Sequence, residues 1–361
     1  MSERLPLHAT HEQTGATFAE VEGWLVPARY GDPAAEHEAV RERAGLIDRS
    51  ERGKIEVTGK DRATFLHGLV SNDVKGLAPG QGNQSALLDV HGKVTALLVV
   101  HCLADRLVLE TDGRQGEPLR SGIDRYLFSE RAELEDVTAA WGILTVAGPN
   151  ARKIVEQTLG TALPDLSPWH HVVVAWEAGE LRVVRAEAAG EEGYDVWTQP
   201  AGLARLWERL REAGAEPIGR EAWDVLRLEA GEVRYGVDVD SSTLLLEAPL
   251  DHAYSLNKGC YLGQEVVARV TYRGHVNRKM VGFRFADARV PPPGASVVVA
   301  GRRAGRITRA AVSPALGVTL ALGFLRREHW EPGTRVEVQG GDEVLAAEVT
   351  ALPFYRRTPA A

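Results

Sequence analysis

After Asn277 the pattern of the chain changes, and this break constrains the fold more than any other feature. Met280–Phe285, Ser296–Val299, Arg306–Thr308, Val318–Phe324, Val336–Val338 and Leu345–Val349 read as short strands, separated by Pro291-Pro-Pro-Gly, Gly301 and Gly340-Gly-Asp. Six strands with turn chemistry between them predict a β-barrel or sandwich over residues 278–361. Residues 1–277 mix helical and strand signals and predict an α+β body, subdivided near residue 140.

Within that body, Glu36–Ala44, after Pro33, reads as a helix that stops at Gly45. A strand at Ile55–Val57 and a short helix capped by Asp61, with Phe65, Leu66 and Leu69 on one side, come next. Two apolar runs flank His91-Gly92, a hairpin signal because glycine accepts the positive φ such turns require. Strands are expected at Arg106–Glu110, Gly142–Ala147, Val172–Trp176 and Leu181–Arg185, with a helix from Asn150 between the second and third. The strongest helix runs from Pro200 to Ala213, where Leu203, Leu206, Trp207 and Leu210 form one apolar stripe.

Composition matters chiefly for what it excludes. No apolar stretch reaches the roughly 18 residues that a membrane span needs, and the Met1-Ser-Glu-Arg-Leu-Pro start lacks a signal-peptide core, so a cytoplasmic protein with no membrane partner is expected. Two cysteines, Cys102 and Cys260, cannot build a disulfide framework or a four-cysteine metal site, and no metal is expected. The net charge of −8 argues against indiscriminate polyanion binding. Between His252 and Ala310, however, eleven basic residues face only Glu265 and Asp287, a basic segment that suits an anionic ligand.

Lys258-Gly-Cys-Tyr-Leu-Gly-Gln-Glu265, with Arg269, concentrates the chemistry. Gly259 and Gly263 permit close approach of a ligand, and a helix starting at Gly263 would set Glu265 and Arg269 four residues apart beyond Gln264. Cys260 beside Tyr261 would lie near that helix start. Positive charge there and on Lys258 would favour a thiolate, making Cys260 and Lys258 the candidate catalytic pair. Cys102, in an alternating strand, reads as core, and His170-His171 cannot chelate one metal because neighbours on a strand face opposite ways. Gly190-Glu-Glu-Gly either offers a carboxylate, Glu191, to a flat ring presenting adjacent N–H donors, as a pterin does, or is a solvated turn between strands. Arg227, before Leu-Glu-Ala-Gly, could clamp a ligand carboxylate or pair with a neighbouring acid. No dinucleotide or nucleoside-triphosphate phosphate loop is present.

Taken in order, Pro6-Leu-His, Gly23-Trp24, Glu36-His37, Arg41-Glu-Arg-Ala-Gly-Leu-Ile-Asp48, Gly59 to Phe65, Ser71-Asn-Asp-Val, Gly190-Glu-Glu-Gly-Tyr, Arg227-Leu-Glu-Ala-Gly and Leu352-Pro-Phe-Tyr resemble the glycine-cleavage T-protein superfamily over nearly the whole chain. The Lys258–Glu265 block with Arg269 resembles the signature of its YgfZ-type members. The resemblance implies interleaved α+β subdomains around a central cavity for tetrahydrofolate, followed by a C-terminal β-barrel. It implies that Glu191 holds the pterin and that Arg227 contacts the folate. T-proteins place an aspartate just after the hairpin turn and a Ser-His pair after the first helix. Here His91-Gly-Lys-Val-Thr95-Ala96 has no carboxylate, and Glu51 follows Ser50.

Three functions follow as expectations. The first, implied by the YgfZ-type block and the absent aspartate, is a tetrahydrofolate-binding accessory factor for assembly or repair of iron–sulfur enzymes, with an effect on tRNA modification in bacteria and Cys260 as the reactive group. One cysteine cannot hold a 4Fe–4S cluster, so such a factor would act on partner iron–sulfur enzymes or assembly proteins. The alternative is a folate-dependent aminomethyltransferase or methyltransferase. The third is a tRNA contact through Arg302–Arg309.

Overall fold

The computed structural model describes residues 2–177, 179–341 and 343–357. The chain forms two compact units whose segments interleave in sequence. The first comprises the chain up to Leu87, Ala96–Trp223 and His252–Leu262, and the second Leu88–Thr95, Asp224–Asp251 and the chain from Gly263 onward.

Three sheets belong to the first unit, a small one of order 3–4, 24–29 and 17–21 and two larger ones. One of the larger two has strand order 171–176, 179–188, 191–198, 142–147, 45–48 and 216–217. The helices Ala151–Leu159 and Pro200–Glu212 cover it, and Leu203, Leu206, Trp207 and Leu210 are all buried as their spacing demands. The other sheet runs 82–88, 94–102, 107–111, 53–58 and 133–136, with the Arg62–His67 helix packed through Phe65 and Leu66. Asp61 stands at the N-cap position of that helix without capping it, because its carboxylate accepts the amide of Arg131 at 2.9 Å instead. Cys102 is buried in this second core.

The helix at Pro33–Glu42 ends before the strand Gly45–Asp48. Asp32 caps it by accepting the amide of Ala34 at 3.1 Å. Glu36 turns inward and accepts the amides of Tyr30, Gly31 and Gly219 at 2.6–2.9 Å, which fixes the helix against its surroundings. Asp48 accepts from His11 at 2.9 Å, and His11 meets the Tyr30 hydroxyl at 2.8 Å. These buried pairs tie the N-terminal segment to the first sheet.

A closed barrel of six strands dominates the second unit, in the order 278–285, 318–326, 302–313, 296–299, 335–340 and 343–350. Phe283, Val297, Ile307, Leu325 and Val338 alternate into its interior. The strand expected at 306–308 extends over 302–313, with a register shift between Ile307 and Arg309. Arg302, Arg303, Arg306 and Arg309 interrupt the apolar alternation and hide the strand in the sequence.

Candidate functional site

Glu191 begins the strand Glu191–Thr198, which pairs with Gly179–Ala188 so that Ala188 lies opposite Glu191. Only Ala189 and Gly190 remain for the turn, with φ of +55° and +81°. Positive φ at both central residues is the hairpin geometry compatible with strand twist. Alternation then sends Glu191 and Glu192 to opposite faces. The Glu191 side chain is fully buried, whereas Glu192 accepts the Tyr194 hydroxyl at 2.6 Å. Gly193 is required behind them, since a Cβ there would lie 2.4 Å from that of Ala188. From the Pro33–Glu42 helix, Arg41 Nη1 donates to Glu191 Oε1 at 3.0 Å and to the Ala189 carbonyl at 2.9 Å.

A charge cluster not anticipated from the sequence occupies the same unit. Arg52 pairs with Glu110 and, at 2.8 Å, with Asp112. Arg49 lies 3.4 Å from Asp195, which also accepts the Thr145 hydroxyl at 2.5 Å. Burial raises the Glu110 carboxyl, but Arg52, the His101 hydrogen bond and Arg49 together hold it well below the usual carboxylate range. Burial dominates at Asp195 and Glu51 and pushes both upward against Arg49 and Arg220 respectively. The available signal is Asp48-Arg-Ser-Glu-Arg52, four charges in five residues at the end of an apolar strand.

Arg227 lies on the helix Arg220–Glu229 and is buried, with Nε donating to Glu232 at 2.7 Å. In the same unit Arg309 turns inward, meeting Asp238 at 3.1 Å and the Glu232 carbonyl. Arg278 pairs with Glu247, Arg289 with Asp287 and Arg306 with Asp240. Arg278, Arg306 and Arg309 thus meet acids from an earlier segment of the chain, and Arg289 meets an acid of its own segment.

Cys260 is exposed. The Lys258 ammonium is directed at three carbonyls, those of His67, Val70 and Asn72, at 2.6–2.8 Å, and sits 4.9 Å above the Tyr261 ring. Lys258 is thus bound to backbone rather than serving a thiol. Burial pushes it down to about 8 from its ordinary 10.5, with Asp73 opposing. Gly259 is exposed, and Gly263, with φ of +80°, precedes the helix Gln264–Arg273. A Cβ at Gly263 would lie 2.5 Å from the Asp89 carbonyl, so that position must be glycine. Glu265 and Arg269 are exposed on this helix, which Gln264 begins.

At the hairpin, Asp89 accepts the amides of His91 and Lys93, and Gly92 has φ of +73°. Thr95 is half-buried, whereas Ala96 belongs to the apolar core. Among the described residues no group of three or more metal-ligating side chains occurs. No helix among them is long and apolar enough to cross a membrane.

Comparison with known proteins accounts for the chain from end to end. The family model for the GCVT N-terminal domain matches residues 7–258, and that for the glycine cleavage T-protein C-terminal barrel domain matches residues 278–356. An aminomethyltransferase of Rubrobacter xylanophilus is 33% identical, covering 98% of this chain and 94% of the relative. That of Saccharopolyspora erythraea is 32% identical, covering 98% of each. The crystal structure of the glycine cleavage system aminomethyltransferase T from Bartonella henselae superposes with a TM-score of 0.91 at 25% identity, covering 98% of both chains. These relatives overturn the expectation of an iron–sulfur accessory factor with a tRNA-linked role. At full length the similarity is to aminomethyltransferases.

Proposed function

Because the chain belongs to the glycine cleavage T-protein family, whose members bind tetrahydrofolate, we propose that it is a folate-dependent one-carbon transferase of the aminomethyltransferase kind. The observation that carries this reading is the end-to-end relation to aminomethyltransferases in sequence and fold. Glu191 supplies a buried carboxylate, already ordered by a cation, for the adjacent N–H groups of a pterin. Bound tetrahydrofolate would supply the nitrogen that accepts the one-carbon unit; the protein's part is to hold and orient it. Within the family, the Lys258–Glu265 block supports a place beside the YgfZ-type members, with Cys260 as a solvent-facing thiol and Lys258 fixing the segment that presents it. The two free thiols suit the cytoplasm.

The missing hairpin aspartate sets the expected rate. A positioned acid or base is worth about 10²–10⁴-fold, so turnover by this protein should fall below that of aspartate-bearing relatives by a factor of that order. Thr95 is the residue through which to restore it, because a carboxylate at Ala96 would be forced into the apolar core. The test is production of methylene-tetrahydrofolate from an aminomethylated lipoyl carrier. Slow turnover in the wild type, raised at least about tenfold in Thr95→Asp, is expected. Absence of both turnover and tetrahydrofolate binding would overturn the reading.

A further inference from the structure

We infer that Arg41 is the positioning residue for the Glu191 carboxylate, acting as a two-point clamp that sets how this site tells a pterin ring from its near analogues. The inference rests on the folate reading above and concerns a residue that itself contacts no ligand. Arg41 Nη1 reaches two acceptors of one turn, Glu191 Oε1 at 3.0 Å and the Ala189 carbonyl at 2.9 Å. Both side chains are buried, with 5% exposure for Arg41 and none for Glu191. Glu191 is the first residue after a two-residue turn in which Ala189 holds a positive φ, a conformation disfavoured for any residue with a Cβ. A tight turn of this kind persists only when its surroundings over-determine it. The Arg41 bond to the Ala189 carbonyl supplies one such constraint, and the second bond couples the turn to the direction of the carboxylate.

The helix that delivers Arg41 is equally fixed. Pro33 and the Asp32 cap set its start, and the buried Glu36 carboxylate anchors it through three backbone amides. The path from helix to guanidinium to carboxylate therefore has little slack. Recognition of two adjacent N–H donors by one carboxylate depends on its plane, so a carboxylate that swings loses the discrimination before it loses all affinity.

The experiment is calorimetric titration of the full-length protein with tetrahydrofolate and with an analogue lacking the 2-amino group. Wild type, Arg41→Gln, Arg41→Lys and Glu191→Gln are compared, with a melting temperature for each. Wild type should prefer tetrahydrofolate by about 100-fold, and Glu191→Gln should abolish that preference. Arg41→Gln should weaken tetrahydrofolate about 30-fold while leaving the analogue nearly unchanged. Arg41→Lys retains the charge but carries its donor on a differently shaped side chain, so it should fall between wild type and Arg41→Gln. A generally weakened fold would lower affinity for both ligands together, so their ratio separates positioning from support. If Arg41→Gln keeps the wild-type ratio, or loses both ligands equally, the inference is overturned while the folate reading stands. If Arg41→Gln fails to fold, an Arg41→Lys ratio equal to that of wild type overturns it, and a reduced one supports it. A wild type that binds no tetrahydrofolate overturns both.

Discussion

Two segments of the first unit, the turn at 188–193 and the loop at 258–262, were singled out for opposite reasons. The loop carries the most distinctive motif in the chain, whereas the turn is a short polar connection of a common kind. In three dimensions their merits reverse. Glu191 is buried, held by Arg41 and seated on a turn whose backbone has no freedom. Cys260 is exposed, and the lysine beside it is spent on three carbonyls. Distinctiveness in sequence and construction in space are separate quantities. A buried charge is costly unless paired, so finding one paired on a strained turn says more about ligand binding than an unusual residue at the surface.

The largest effect expected from this contrast is structural and falls on the loop. Lys258→Met would leave the carbonyls of His67, Val70 and Asn72 without their shared donor, and a loss of about 3–4 kcal/mol in urea unfolding is expected. Cys260→Ser should leave that unfolding curve unchanged. If the cysteine variant proved the more damaging, the loop would be built around its sulfur and the comparison would break.

Next in size is the binding effect at the turn. Glu191→Gln converts an acceptor-only group into one that also presents donors to the pterin, and tetrahydrofolate affinity should fall by at least about 100-fold. Cys260→Ser should stay within about twofold, a surface thiol having little to contribute to ring recognition. Equal losses in the two variants would place folate against both segments and remove the distinction.

How much of this was legible beforehand depends on the range of the interaction involved. The barrel strands and the Pro200–Glu212 helix were readable because strand and helix periods are local properties. Glu191 was nameable as a candidate from its turn and from the resemblance. Its burial and its partner were not, because Arg41 lies 150 residues earlier and nothing local marks it as facing that turn. The basic segment misled for the same reason. Its arginines cluster within one stretch of sequence, but Glu247, Asp238 and Asp240, which pair with three of them, come from an earlier segment of the chain. Lys258 stands two residues from Cys260, but its ammonium is aimed at three backbone carbonyls, since proximity in sequence does not fix direction in space.

Acid provides a third, smaller test. The sheet carrying the Glu191 turn also carries His171, paired with Val184. Burial, then His101 and Arg182, push His171 from its ordinary 6.5 down to about 3. The folded state therefore keeps this imidazole neutral while the unfolded chain takes up a proton below about 6.5. Its contribution to stability is complete above that pH and is lost as pH falls towards 3. Between pH 7 and pH 5 the urea midpoint should drop by the equivalent of about 1–2 kcal/mol, and His171→Gln should flatten that slope. A wild-type midpoint that does not move over this interval would mean that His171 reaches water, and that the sheet beneath the turn is less closed than the structure makes it.

The smallest expected effect isolates the turn itself. Ala189 is buried at φ of +55°, a conformation that costs a residue with a Cβ about 1–2 kcal/mol. Ala189→Gly removes that cost, but glycine loses about 0.5–1 kcal/mol more backbone entropy on folding, and the missing methyl forfeits about 0.8 kcal/mol of burial. These terms nearly cancel, so the unfolding free energy should stay within about 0.5 kcal/mol of wild type. Affinity need not follow stability here, because a glycine widens the range of directions in which Glu191, two residues on, can project its carboxylate. A two- to three-fold weakening of tetrahydrofolate binding, roughly 0.5 kcal/mol, is expected at unchanged stability. A loss as large as that of Glu191→Gln would assign the placement of the carboxylate to Ala189 rather than to Arg41. A gain of more than 1 kcal/mol in stability, by the scale of left-handed strain, would show that the turn carries a cost its hydrogen bond does not offset.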